Sequence, residues 1–201
     1  MPGGVAYVDI LANFAAKTFS AFFMKSLLYA GLALSLAACS SSGSDQAAAG
    51  DYITRNDFES MMGWLPDATA LTKEHAHSGS YATVVNPDKE FSLTYNAMLG
   101  DMSPHKLRGV TVEAWVFLSD DKGSAKLGLQ VVDPDQDNKE VFGDGINLSE
   151  QVKEYNTWTK VSKEFMLPDN VTYTQRLKVF LWRSDAASPV YLDDLTIKGL
   201  E

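Results

Sequence analysis

The chain has 201 residues, 45% of them hydrophobic, with 26 acidic side chains against 17 Lys and Arg and a net charge of −9. An acidic chain without a Lys/Arg cluster repels a phosphate backbone, which argues against nucleic acid as a partner. The only cysteine, Cys39, leaves no partner for an internal disulfide, so stability must come from an ordinary apolar core, with a bound metal as the one available aid.

The first 38 residues read as a signal peptide: Lys25 precedes an apolar run from Leu27 to Leu36, too short to span a bilayer, and small residues close it. Met24 is a plausible true start, with residues 1–23 an upstream extension. The closing Leu36-Ala37-Ala38-Cys39 resembles the lipobox of bacterial lipoproteins. The resemblance implies diacylation of Cys39, cleavage before it, and a membrane anchor in the bacterial cell envelope. Ser40 is compatible with the outer rather than the inner membrane. Removal of residues 1–38 takes away Lys17, Lys25 and Asp9 and leaves a net charge of −10. Residues 39–50 are a Ser/Ala/Gly-rich tether.

Residues 51–201 are the size of one domain. Period-two alternation predicts strands over 110–118, 127–131, 158–165, 177–182 and 190–197, rich in β-branched and aromatic residues and separated by Gly, Pro, Asp and Asn. Only 148–155 suits a short helix or turn. The expected class is all-β, two antiparallel sheets packed face to face in a β-sandwich. The acidic stretch Asp133–Asp144 opens like a calcium-binding helix-loop, but Glu140 stands where that loop wants an apolar residue and its twelfth position is Asp. It reads as a polar hairpin connection.

Four segments in order carry a more specific signal: Asn56-Asp57-Phe58-Glu59 with Gly63-Trp64; His77-Ser78-Gly79-Ser80 with Tyr81-Ala82; Trp158-Thr159-Lys160-Val161-Ser162 with Phe165 and Leu167-Pro168; and Tyr191-Leu192-Asp193-Asp194-Leu195-Thr196-Ile197. Together they resemble the CenC-like carbohydrate-binding modules of the galactose-binding-like jelly-roll superfamily, over essentially the whole of residues 51–201. The resemblance implies a structural Ca²⁺ near the chain ends, held by Glu59, Asp193 and carbonyls around Ser78–Ser80. Hard oxygen donors are what Ca²⁺ takes. The alternative is that both carboxylates are simply hydrogen-bonded at strand ends. Alternation puts Asp193 on the side opposite Leu192 and Asp194, and Leu195 and Ile197 make that the core side unless a bulge intervenes.

The same alternation turns Glu113, Trp115 and Phe117 outward, with Gln130, Lys178, Phe180 and Trp182. Aromatic rings stack on the C–H faces of sugars while amides and charges meet the hydroxyls. Trp115, Gln130 and Trp182, with Glu113 and Arg183 nearby, are therefore the expected sugar platform on the concave sheet. The competing reading covers these rings with a loop such as residues 86–107, making a second small core. His75, His77 and His105 are expected in solvated loops. No catalytic motif is visible, and Glu113 is the only acid placed on the aromatic face, whereas a glycosidase needs two. Two functions remain: a non-catalytic lipoprotein that binds polysaccharide or oligosaccharide, and an envelope lipoprotein whose sandwich binds a protein partner as an adhesin or assembly factor.

Overall fold

The computed structural model describes residues 52–63, 65 and 68–201. The signal segment, Cys39, the tether and Trp64 lie outside the described residues. Ten strands and two single-turn helices follow in order: β1 Tyr52–Asn56, β2 Leu71–Thr72, β3 Ala82–Val85, β4 Tyr95–Met98, α1 Leu99–Met102, β5 Gly109–Leu118, β6 Lys126–Asp133, β7 Lys139–Asn147, α2 Leu148–Gln151, β8 Trp158–Met166, β9 Arg176–Trp182 and β10 Val190–Leu200. They form two antiparallel sheets, the expected sandwich. The larger runs β2-β3-β10-β5-β8 with β1 also paired to β10, and the smaller runs β4-β9-β6-β7.

Alternation explains the strands that were legible. On β5, Val110, Val112, Ala114 and Val116 are fully buried, and Leu127, Leu129, Val131, Leu177, Val179 and Leu181 meet them from the smaller sheet. Each such side chain contributes about 1.5–3 kcal/mol when taken out of water. α2 is a single turn, shorter than the 148–155 stretch, anchored by buried Leu148 with Val152 just beyond it. The acidic stretch is a hairpin connection only over its first part: a 3₁₀ turn over Pro134–Gln136 followed by Asp137 and Asn138 at φ 53° and 56° joins β6 to β7, and residues 139–144 are strand β7 itself.

β10 organises the larger sheet. One edge is taken by β5; the other is shared, β3 pairing with Val190–Leu192 and β1 with Leu195–Lys198. Asp193 lies opposite Trp115 and Thr196 opposite Glu113, so Asp194 and Leu195 together face Ala114. This is a β-bulge, with Asp194 at φ 49°. It lets Leu192, Leu195 and Ile197 all reach the core. Asp193 is thereby turned to the outer face of the sheet, not to the core side that unbroken alternation required.

Candidate functional site

Asp193 is nonetheless completely buried. The cover is the segment 74–81, which crosses the outer face of the larger sheet as a strap. Asp193 Oδ2 accepts the N–H groups of His77 and Ser78 at 2.8 and 3.1 Å, and Oδ1 accepts that of Asp194 at 2.7 Å. Burial pushes the Asp193 carboxyl above its ordinary value, opposed by these N–H donors. Asp194 bonds His77 Nδ1 at 2.6 Å and accepts from Ser78 Oγ at 2.8 Å. From the other side Glu59 Oε1 accepts the N–H groups of Ser80 and Tyr81 at 2.6 and 2.7 Å. Gly79, at φ 58°, is required here, since a Cβ on it would lie 2.3 Å from Glu59 Cδ.

The strap closes over aromatic rings. His77 stacks on Trp115 at 3.9 Å and His75 on Phe117 at 4.3 Å, with Trp158 and Tyr191 packed beside them. Tyr191 donates its hydroxyl to Glu74 Oε2 at 2.8 Å. Phe117 thus belongs to a second small core with Val84, Tyr191 and Trp158, the competing reading of the sequence, although the cover is 74–81 and not 86–107; Trp115 lies half-buried beside it under the His77 ring. His75 and His77 are structural rings, not solvated loop residues; His105 is exposed. Glu113 lies on the same outer face, tied to Lys198 at 2.9 Å and Lys160 at 3.1 Å.

The expected single platform is therefore divided. Glu113 and Trp115 stand on the larger sheet, Gln130 and Trp182 on the smaller, and their outward faces are opposite sides of the sandwich. Arg183 joins neither: it folds into the turn after β9, where Nη1 donates to Ala186 O at 3.3 Å.

The outer face of the smaller sheet is open. Down β9 it presents Arg176, Lys178, Phe180 and Trp182, each partly exposed. Cross-strand rows follow from the register: Asn96, Lys178, Gln130 and Gly143; then Phe180, Gly128 and Gly145; then Trp182, Lys126 and Asn147. Two glycines make the middle flat. A Cβ on Gly128 would lie 2.8 Å from Phe180 Cε2, and one on Gly145 would lie 2.4 Å from Lys126 Cε. The Phe180 ring and the Lys126 stem consequently lie down on the sheet. Phe91, 46% exposed, runs beside Trp182 through an isolated bridge; its ring is nearly parallel to that of Trp182 at 6.3 Å and tilted to Phe180 at 5.8 Å. Trp182 Nε1 donates to Glu90 Oε1 at 3.1 Å, and Gln130 Nε2 to Glu140 Oε2 at 2.7 Å. Sequence reasoning missed Phe91, which sits in a non-alternating stretch, and the glycines, which are silent in a pattern search. A separate cavity of about 440 Å³ at one end of the sandwich is lined by Leu99, Leu107, Leu167, Val171 and Tyr173, and by none of the expected sugar or metal residues.

For a calcium ion the donor chemistry fits in kind. Carboxylates from near β1 and from β10 bracket one turn, Glu59 Oε2 makes no hydrogen bond among the described residues, and Asp193 Oδ1 accepts only one. Ser78 and Ser80, however, show their N–H groups to these carboxylates. Among the described residues no three His, Cys, Asp or Glu side chains are grouped to hold a metal, so any shell here would depend on backbone carbonyls.

The described residues thus form a jelly-roll-like sandwich with one strapped face and one ring-lined face. The chain belongs to the CBM_4_9 carbohydrate binding domain family, whose model matches residues 50–187. Among solved structures it is similar to the CBM22-1 xylan-binding domain from Paenibacillus barcinonensis Xyn10C, at 19% identity and a TM-score of 0.48 over 76% of this chain and 96% of that one. It is also similar to the C-terminal family 22 carbohydrate binding module of Clostridium thermocellum Xyn10B, at 13% identity and a TM-score of 0.47 over 75% and 96% of the two chains. No curated protein matches the sequence.

Glu113 gives a pH test of the larger sheet's outer face. Its bond to Lys198, and then that to Lys160, hold its carboxyl below the ordinary 4.5. Their contribution is complete above that value and is lost as pH falls through the lower folded one. Glu113→Gln is expected to cost about 0.5–1 kcal/mol near neutral pH, shrinking toward zero in acid. Urea midpoints against pH for both proteins measure this; a gap constant with pH would refute it.

Proposed function

We propose that this protein is a non-catalytic, membrane-anchored polysaccharide-binding lipoprotein, and that the ligand lies on the outer face of the smaller sheet. The observation that supports this most is the set of partly open rings, Phe91, Phe180 and Trp182, beside the amides of Gln130 and Asn96 on a glycine-flattened surface. Such a face offers stacking for sugar C–H faces and hydrogen bonds for hydroxyls. The non-catalytic reading draws on the carboxylates bonded to this face. Glu90 lies by Trp182, and the Glu140 carboxylate lies over the row of Lys178, four residues down β9. That is roughly 13 Å at the rise of a strand, against roughly 5–9.5 Å for a glycosidase pair.

The test is binding of the full chain to a polysaccharide panel, with Phe180→Ala and Trp182→Ala. Truncating an aromatic anchor costs roughly 2 kcal/mol, so each variant is expected to bind about thirtyfold more weakly with its melting temperature little changed. Trp115→Ala, by contrast, opens the strapped core. Undiminished binding in both ring variants would sink the assignment of this face.

The anchor is Cys39, acylated after cleavage, in the cell envelope and at the outer rather than the inner membrane. Support comes from the Leu36–Cys39 sequence and the tether that follows. Cys39→Ser should move the protein from the membrane to the soluble fraction; retention in the membrane would remove the lipid anchor.

Calcium is proposed as a structural ligand at the strap, held by Glu59 and Asp193 with backbone carbonyls near Ser78 and Ser80. The convergence of two carboxylates from distant parts of the chain on one turn supports it. A ligand that binds only the native state raises stability by mass action. The melting temperature should rise by several degrees in millimolar calcium over excess chelator, and identical melts would overturn the metal.

A further inference from the structure

The ring-lined face carries two basic side chains without a polar partner among the described residues. Arg176 and Lys178 occupy successive outward positions of β9, directly before Phe180 and Trp182. Neither makes a hydrogen bond or an ion pair among the described residues. In a chain of net charge −9, acidic partners are plentiful, and the cations of the opposite face are used: Lys160 and Lys198 both hold Glu113. The neighbours of Lys178 across the sheet are Asn96 on one side and Gln130 on the other, both uncharged. The acid that reaches this row is Glu140, whose carboxylate leans over Gly143 and is taken by Gln130 Nε2 at 2.7 Å. It lies two strands from Lys178, about 10 Å at the usual strand spacing. Lys126 is accounted for separately, by the field of Asp144, and Glu90 by Trp182.

We infer that the polysaccharide bound here is anionic, with an acidic group of one sugar unit meeting Lys178 and Arg176 while the adjoining units lie on Phe180 and Trp182. The inference rests on the glycan-binding reading of this face and names its substrate class. Outward positions on β9 are separated by about 6.6 Å, so a cation pair and a ring pair lie side by side on one strand. A guanidinium offers a planar fork to a carboxylate or a sulfate, and an ammonium offers a point charge. Both charges are partly exposed, so their effect is screened by salt.

The experiment compares binding of the full chain to polygalacturonate, a sulfated galactan and neutral xylan at low and high salt, for the wild type, Lys178→Met and Arg176→Gln. Wild type is expected to prefer an anionic polymer to neutral xylan by about tenfold at low salt, with the preference shrinking as salt rises. Each substitution is expected to reduce anionic binding by about three- to tenfold and to leave neutral binding within about twofold. Preference for polygalacturonate alone identifies a uronic acid carboxylate, and preference for the galactan alone a sulfate ester; both uphold the inference. Equal binding of neutral xylan, unchanged in either variant, overturns it while leaving glycan binding intact. Binding to none of the three by a folded protein overturns it as well, and a negative result on the wider panel then removes the glycan reading itself. Circular dichroism melts of both variants distinguish lost contact from lost fold.

Discussion

The bulge at Asp194 and Leu195 is the constraint on which the rest of the molecule depends. β10 is paired along both edges and carries core residues along most of its length. Without the extra residue, strict alternation would send Leu195 and Ile197 to the face opposite Leu192. With it, all three reach the core, and the two aspartates are delivered to the outer face as a pair of acceptors. Asp193 accepts the backbone N–H groups of His77 and Ser78, and Asp194 meets the His77 ring and the Ser78 hydroxyl, so the half-buried strap has its polar groups paired. A single local irregularity thus serves the core on one side and fixes the strap on the other.

The two outer faces of the sandwich both carry aromatic rings, yet the structure treats them oppositely. On the larger sheet the rings are finished by other rings: imidazoles lie over Trp115 and Phe117, and the strap that supplies them is clasped by Glu59, Asp193 and Asp194. On the smaller sheet, among the described residues, Phe180 and Trp182 are met by the edge ring of Phe91 and by no comparable strap. Apolar area left in water costs about 25 cal/mol per Å², so leaving this second ring face open has a cost that the ligand proposed for it would offset. Glycine deepens the asymmetry. Gly128 and Gly145 let long side chains lie flat, which turns a pleated surface into a platform.

The sequence pattern revealed in-versus-out correctly for β5, β6 and β9 because side chains alternate with a strict period of two; on β8 it held for Val161 and Phe165, but Trp158, expected on the core face, lies opposite Phe117 on the outer face and packs under the strap. It could not reveal which sheet each strand joins. Trp115 and Trp182 were both legible as outward, but outward from different sheets, a matter of long-range pairing that no local period encodes. β7 was invisible for the reason it matters: Gly143, Asp144 and Gly145 have poor strand propensity, and the glycines that hide the strand also flatten the face. The bulge was legible only as a conflict between the aspartate pair and the leucines around it. The pairing of β1 with β10 is likewise a long-range contact, joining the two ends of the domain, and no local period encodes it.

Net charge is a poor guide to what this face can take. An overall charge of −9 argues against nucleic acid because a duplex presents one phosphate about every 1.7 Å and needs a stripe of cations to neutralise a run of them. A polysaccharide with one acidic group per unit makes a smaller demand. At physiological ionic strength the field of a charge decays over about 8 Å, so a ligand on β9 responds mainly to the near-side charges, Arg176 and Lys178 with Glu90 and Glu140 at the margins, and only weakly to carboxylates on the far side of the sandwich. The distant acids still act, as long-range repulsion that slows approach of any polyanion. Such a site is selective by arrangement: a dense polyanion meets the whole acidic surface, whereas a sparse one can seat a single acidic unit beside the rings with the rest of its length in solvent.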